Sequence, residues 1–189
     1  MYKLNGELSQ NTALLIIDMI NDFQFEYGSI LAKKAANITL NILKLKQAMK
    51  EKSMPVIYVN DYYNIRQADI EKLVDHCRND LNQQVINHLY PQHDDYFIFK
   101  PKHSAFYGTS IDVLLSQLHI ANLIITGIAG NICVLFTAND AYMRDYQLTI
   151  PEDCISSNND QDNAYALKMM KNVLKANTTC TENLFDLYN

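Results

Sequence analysis

The stretch Ile124-Ile125-Thr126-Gly127-Ile128-Ala129-Gly130-Asn131-Ile132-Cys133-Val134 decides the fold. An apolar run of strand length ends at Thr126-Gly127. A short loop with a second glycine follows, and Cys133 stands at the start of a helical pattern. A continuous apolar run is the form of a strand covered on both faces. In an open α/β sheet the chemistry gathers outside the carboxyl ends of such strands. A thiol there meets the unpaired N–H groups and positive end of a helix, which are expected to lower its pKa toward the nucleophilic thiolate. A cysteine at the same place also serves as a small hydrophobe beneath the helix. Spacing alone does not choose between these two readings.

Working outward, the same unit recurs. Ala13-Leu14-Leu15-Ile16-Ile17 is a second continuous apolar run, with Asp18 directly after it. Apolar residues at Leu31, Ala35, Ile38, Ile42, Leu45 and Met49 predict a helix over 31–50. Pro55 opens a strand over 56–59, and the polar segment 65–89 predicts one or two short helices. Tyr96-Phe97-Ile98-Phe99 predicts a strand ending at Lys100-Pro101, and 111–118 a helix. The run 123–125 is the next strand, 134–145 its helix, 147–150 a fifth strand, and 162–175 a last helix. Strands alternating with helices imply right-handed βαβ units and a mainly parallel sheet. The expectation is a three-layer α/β/α sandwich, Rossmann-like, as one domain over residues 1–189.

Composition narrows the partners. A 189-residue chain with 48% apolar and 20% charged residues can bury a substantial core. A net charge of −5 without a basic stripe argues against nucleic acid. No apolar run approaches the roughly 18 residues needed to cross a bilayer. Met1 to Glu7 lacks the apolar core of a secretion signal, so a cytoplasmic location is expected. Cys77, Cys133, Cys154 and Cys180 show no CxxC spacing and need not pair in a reducing compartment.

Three reactive groups share one structural address. Asp18, Lys100 and Cys133 each fall at or just past the carboxyl end of a predicted strand, and parallel strands put those ends on one edge of the sheet. There Asp18 can take the thiol proton as a general base, Lys100 can hold the developing negative charge, and the Cys133 thiolate can attack a carbonyl carbon. An ordinary Asp18–Lys100 ion pair at a sheet edge is the plainer alternative. Three complementary groups at equivalent positions favour the catalytic set.

Three segments then carry a resemblance: Leu14-Leu15-Ile16-Ile17-Asp18-Met19-Ile20-Asn21-Asp22-Phe23, the run from Lys100-Pro101-Lys102-His103 to Gly108-Thr109, and Thr126-Gly127-Ile128-Ala129-Gly130-Asn131-Ile132-Cys133-Val134. In order, spacing and strand context they resemble the isochorismatase-like cysteine hydrolase family, from about Thr12 to Ser157. The resemblance implies that family's α/β fold, an Asp-Lys-Cys triad on Asp18, Lys100 and Cys133, and a cis peptide between Ile128 and Ala129. It also implies an oxyanion hole from the backbone N–H groups of Ala129 and Cys133, and a homo-oligomer, dimer or tetramer. Gly130 stands where the family commonly has Thr or Ser.

Other departures bear on substrate. Nicotinamidases of the family hold a metal through an Asp-x-His motif after the second strand; here the residues are Asp61-Tyr62-Tyr63. One carboxylate is not a zinc site, which usually needs three protein ligands, so no metal and no cofactor are expected. Isochorismatases cleave an enol ether without a cysteine nucleophile, so Cys133 tilts the reading toward an amide, ureido or related carbonyl compound. Phe23, Tyr62, Tyr63, Phe106 and Tyr107 flank the site and are candidates for a small aromatic pocket, or for loop packing alone. The expected function is hydrolysis of a small molecule through a thioester on Cys133. Isochorismatase-type ether hydrolysis, nicotinamidase-like activity and a non-catalytic binding role are the alternatives.

Overall fold

In the computed structural model, which describes residues 10–63 and 69–188, the apolar runs become parallel strands because each carries hydrophobic side chains to both faces. β1 (Thr12–Ile17), β2 (Val56–Asp61), β3 (Tyr96–Lys100), β4 (Asn122–Ile128) and β5 (Gln147–Thr149) lie in the order β3-β2-β1-β4-β5. A two-residue strand, β6 (Ile155–Ser156), pairs with the end of β4. Every pairing is parallel.

Successive residues of a strand point to opposite faces, and two cores result. Leu14, Ile16, Val56 and Tyr58 pack on one side against Leu31, Ala35, Ile42 and Met49 of α1 (Gly28–Glu51). On the same side lie α2 (Ile70–Cys77) and α3 (Gln83–His88). Leu15, Ile17, Ile57 and Val59 face the other way, toward α4 (Ile111–Gln117), α5 (Leu135–Tyr142) and α6 (Asp160–Asn172). This is the three-layer sandwich that alternating strands and helices predict.

The chain leaves β1 in one direction to build β2 and β3, and returns to the other side of β1 for β4 and β5. The topological switch point therefore lies between β1 and β4, where open α/β sheets place their ligands. The register Ile17↔Gly127 sets the two strand ends level. Gly127 is required at that contact: its φ is +112°, and a β-carbon would stand 2.0 Å from the Ile17 carbonyl oxygen.

Three features differ from the sequence reading. The helix expected from Val134 is preceded by a π-helical turn, Gly130–Val134, and α5 proper begins at Leu135. α6 starts two residues early because the Asn159 side chain accepts from the amides of Gln161 and Asp162 at 2.8 and 3.1 Å, which caps it. α7 (Thr181–Tyr188) and β6 were not expected; β6 is too short to show a pattern, and α7 is tied down by Asp153, whose carboxylate accepts from the Thr181 amide at 2.9 Å. The segment 65–89 does form two short helices, while Ile65 itself lies outside the described residues. Among the described residues no helix is long and apolar enough to cross a membrane.

One polar cluster sits inside the first core. Lys46 of α1 is buried with its Nζ 2.7 Å from Asp95 Oδ2. It also donates to Tyr58 Oη at 3.0 Å and to the Tyr90 carbonyl at 3.2 Å. Tyr58 in turn donates to the Leu89 carbonyl at 3.0 Å. Desolvation holds the Lys46 ammonium below its ordinary pKa, against the pull of Asp95. The cluster fastens the loop that delivers β3, and so Lys100, to the sheet.

Candidate active site

β1 ends at Ile17, and Asp18 follows with a left-handed backbone, φ +53°, which aspartate tolerates better than most residues. Its amide donates to the Val59 carbonyl at 2.9 Å, anchoring the turn to β2. Buried amides hold the loop beyond it: Asn60 Nδ2 donates to the Ile20 carbonyl, and Asn82 Nδ2 to the Asn21 carbonyl, both at 2.6 Å. These two asparagines went unremarked in the sequence, since nothing local marks an amide that serves a loop 40 or more residues away.

Lys100 closes β3, two strands from β1, and is 0% exposed. Its stem crosses the end of β2 and brings Nζ to 2.8 Å from Asp18 Oδ2 and 3.5 Å from Cys133 Sγ. The same nitrogen also pairs with Asp61 Oδ1. Asp61 is the register partner of Lys100 in the β2–β3 ladder, and its own amide donates to Asp18 Oδ1 at 3.0 Å. The three predicted strand-end groups are therefore brought together, with Asp61 as a fourth member that the sequence reading left outside the set. The signal available for Asp61 was positional: it ends its strand as Asp18 and Lys100 end theirs.

Electrostatics decide the resting protonation. Burial pushes the Asp18 carboxyl up to about 6, Lys100 pulls it down, and Asp61 adds to the rise. Burial opposes charge on Lys100, but Asp18, Cys133 and Asp61 outweigh it and hold the ammonium above its ordinary range. The Cys133 thiol is not lowered, as the helix-terminus argument expects, but raised. Desolvation and the neighbouring Asp18 carboxylate disfavour a second anion more than Lys100 favours it. The resting site thus holds a neutral thiol beside a carboxylate base and a fixed ammonium.

Around Cys133 the chain makes an uncommon turn. The peptide between Ile128 and Ala129 is cis. The Ala129 carbonyl accepts from the Ile132 amide at 3.0 Å and from the Val134 amide at 3.1 Å. An α-helix would give that acceptor to the Cys133 amide; the π-helical turn gives it to the residues on either side.

Gly130 has a packing reason. A β-carbon there would stand 2.2 Å from Asn163 Oδ1 and 3.2 Å from Ser157 Oγ. Ser157 Oγ donates to Asn163 Oδ1 at 2.8 Å and accepts from the Asn131 amide at 3.0 Å, which ties the turn to α6. Gly130→Ser is expected to cost about 1–3 kcal/mol in urea unfolding, by overpacking. Adding Asn163→Ala should recover part of that loss; strict additivity of the two costs would show that Asn163 is not the obstacle.

A cleft of about 620 Å³ opens beside the cluster, lined by Asp61, Tyr62, Phe99, Lys100, Lys102 and His103 among others. Tyr62 meets Phe99 edge to face at 6.1 Å, making an aromatic wall. The other aromatic candidates stand elsewhere. Phe23 is buried in the first core. Phe106 is buried in the second beneath the Arg144 guanidinium at 4.7 Å, and Tyr107 is 63% exposed. Tyr63 packs against the first core with its ring 5.5 Å from His76. Proximity in sequence to Asp18 or Lys100 does not determine which face of a loop a ring takes. Among the described residues no three His, Cys, Asp or Glu side chains form a group able to hold a metal ion, and the Asp61 carboxylate is engaged by Lys100. The described cysteines are all free thiols.

The family model of the isochorismatase domain matches residues 12–183. The isochorismatase family protein YaaI of Bacillus subtilis is 53% identical over 174 residues, covering 92% of this chain and 96% of its own. The crystal structure of N-carbamoylsarcosine amidase from Thermoplasma acidophilum matches with a TM-score of 0.71 and 26% identity, over 91% of this chain and 97% of its own. That of the nicotinamidase/pyrazinamidase PncA from Bacillus subtilis matches with a TM-score of 0.71 and 27% identity, over 89% and 99%. With a family match over nearly the whole chain and a relative at 53% identity, the protein belongs to the isochorismatase family, hydrolases with an α/β fold.

Proposed function

We propose that this protein is a cysteine hydrolase of a small amide, ureido or related carbonyl compound, working through a thioester on Cys133 without a metal. The observation that carries the reading is the placement of Lys100 Nζ between Asp18 Oδ2 and Cys133 Sγ, at 2.8 and 3.5 Å. Asp18 takes the thiol proton as the substrate carbonyl approaches. Lys100 holds the nascent thiolate, which attacks the carbonyl carbon. The tetrahedral oxyanion is held by the amides of Ala129 and Cys133. Collapse expels ammonia or an amine, protonated by Asp18, and leaves the acyl group on sulfur. A water that gives its proton to Asp18 then hydrolyses the thioester. That the amidases above share the fold at 26–27% identity supports an amide or ureido substrate.

The reading is tested by trapping the acyl-enzyme. Rapid acid quench of turnover with a panel of small amides and ureido acids, followed by mass spectrometry, should place the acyl mass on the peptide containing Cys133. Full turnover by Cys133→Ala would refute it and favour ether hydrolysis.

The pH dependence follows from Asp18. The base works only as a carboxylate, so kcat/KM should fall as pH drops through about 6. An ordinary carboxylate would lose its proton two units lower. An acid limb near 4 would show that burial does not raise the base.

A further inference from the structure

An ammonium has three N–H donors and no acceptor. Lys100 is wholly buried, and its Nζ has three acceptors around it: Asp18 Oδ2 at 2.8 Å, Cys133 Sγ at 3.5 Å and Asp61 Oδ1. Two belong to the chemistry proposed above, and the third has no part in it. Asp61 differs from Asp18 in exposure as well: its side chain is 53% exposed at the cleft, against 5% for Asp18. Its backbone amide reaches Asp18 Oδ1 at 3.0 Å, so one residue touches both the base and the base's counter-ion.

We propose that Asp61 is a positioning residue: by sharing the Lys100 ammonium with Asp18, it keeps Lys100 from neutralising Asp18 and so sets how basic the Asp18 carboxylate is. This rests on the assignment of Asp18 and Cys133 made above. Without Asp61 the third N–H of Lys100 is unpaired, and the full positive charge falls on Asp18 and on the sulfur. Both acids then lose their protons more readily. Asp61 raises both groups at present, through its negative charge. Tyr63 is a further titratable neighbour of Asp18, with Asp22 and Cys77 beside it in turn; burial holds the Tyr63 hydroxyl and the Cys77 thiol protonated near neutral pH. Lys102 and His103 line the same cleft, and they are common to every variant compared.

The test is the rate of Cys133 alkylation by iodoacetamide between pH 4 and 9, read by peptide mass spectrometry. It needs no substrate, so it stands apart from the identity of the reaction. Asp61→Asn keeps a side-chain oxygen for Lys100 and removes the charge. Its acid limb should move down by about one pH unit. Asp61→Glu retains the charge and should keep the limb of the parent protein; this variant also serves if Asp61→Asn does not fold. A limb that stays in place in Asp61→Asn, or moves equally in Asp61→Glu, overturns the proposal. Failure of Cys133 to acylate during turnover, with the limb still shifted in Asp61→Asn, would instead refute the thioester reaction alone.

Discussion

Cys133→Ser should lower kcat/KM by at least about 10³, and Asp18→Asn by about 10²–10⁴, while the double variant loses little more than the worse of the two. Serine removes the soft, polarizable nucleophile and replaces it with a hydroxyl that a carboxylate of pKa about 6 cannot deprotonate to any useful extent. Asparagine keeps the shape of Asp18 and an oxygen for Lys100 but cannot accept the proton. Because Asp18 acts only by way of Cys133, removing it from an enzyme that already lacks the thiol takes away nothing further. Losses that simply multiply would show that the two side chains act separately. Both variants should retain the parent circular dichroism spectrum, because each replacement keeps nearly the size and shape of the side chain it removes.

The largest stability effect should come from a place remote from this chemistry. Asp95→Ala is expected to lower the free energy of unfolding by about 3–5 kcal/mol, measured by urea denaturation. The reason is what the substitution leaves behind. Lys46 is 4% exposed, and without Asp95 its ammonium has only the Tyr58 hydroxyl and the Tyr90 carbonyl for partners. A buried charge with neutral partners costs several times what an exposed one does. Lys50, which also pairs with Asp95 and with Asp94, keeps the second of these, is more exposed, and loses less. Replacing both members of the buried pair, as Lys46→Met with Asp95→Leu, should cost clearly less than Asp95→Ala alone. A double variant no better than the single one would locate the cost in the loop before β3 rather than in the orphaned ammonium.

The architecture was legible where a local pattern had a single physical meaning. Continuous apolar runs such as Ala13-Leu14-Leu15-Ile16-Ile17 need cover on both faces, and that requirement leads to helices on two sides of a parallel sheet. Asp18, Lys100 and Cys133 were legible for the same reason. Each ends a strand unit, and parallel strands put their ends on one edge, so convergence follows from connectivity alone. The family match over residues 12–183 agrees with what those segments implied.

What the sequence could not determine is how charge and space are shared among groups once they meet. A helix start read in isolation lowers a thiol's pKa, yet burial and a carboxylate beside Cys133 reverse the sign, and both arise only on folding. Asp61 is one more strand-end acid in the sequence. Its amide and carboxylate become partners of Asp18 and Lys100 only through the β2–β3 register. Phe106 lies near Lys100 in the chain but turns into the second core, because a loop residue's side is chosen by what packs against it. Gly130 likewise looks like a lost hydroxyl in the sequence, and it is the Asn163 side chain, 33 residues on, that occupies the space a β-carbon would need. Periodicity and strand ends are local and so are written along the chain. Desolvation, register and steric exclusion belong to pairs of residues distant in sequence, and they take their values only when the sheet has formed.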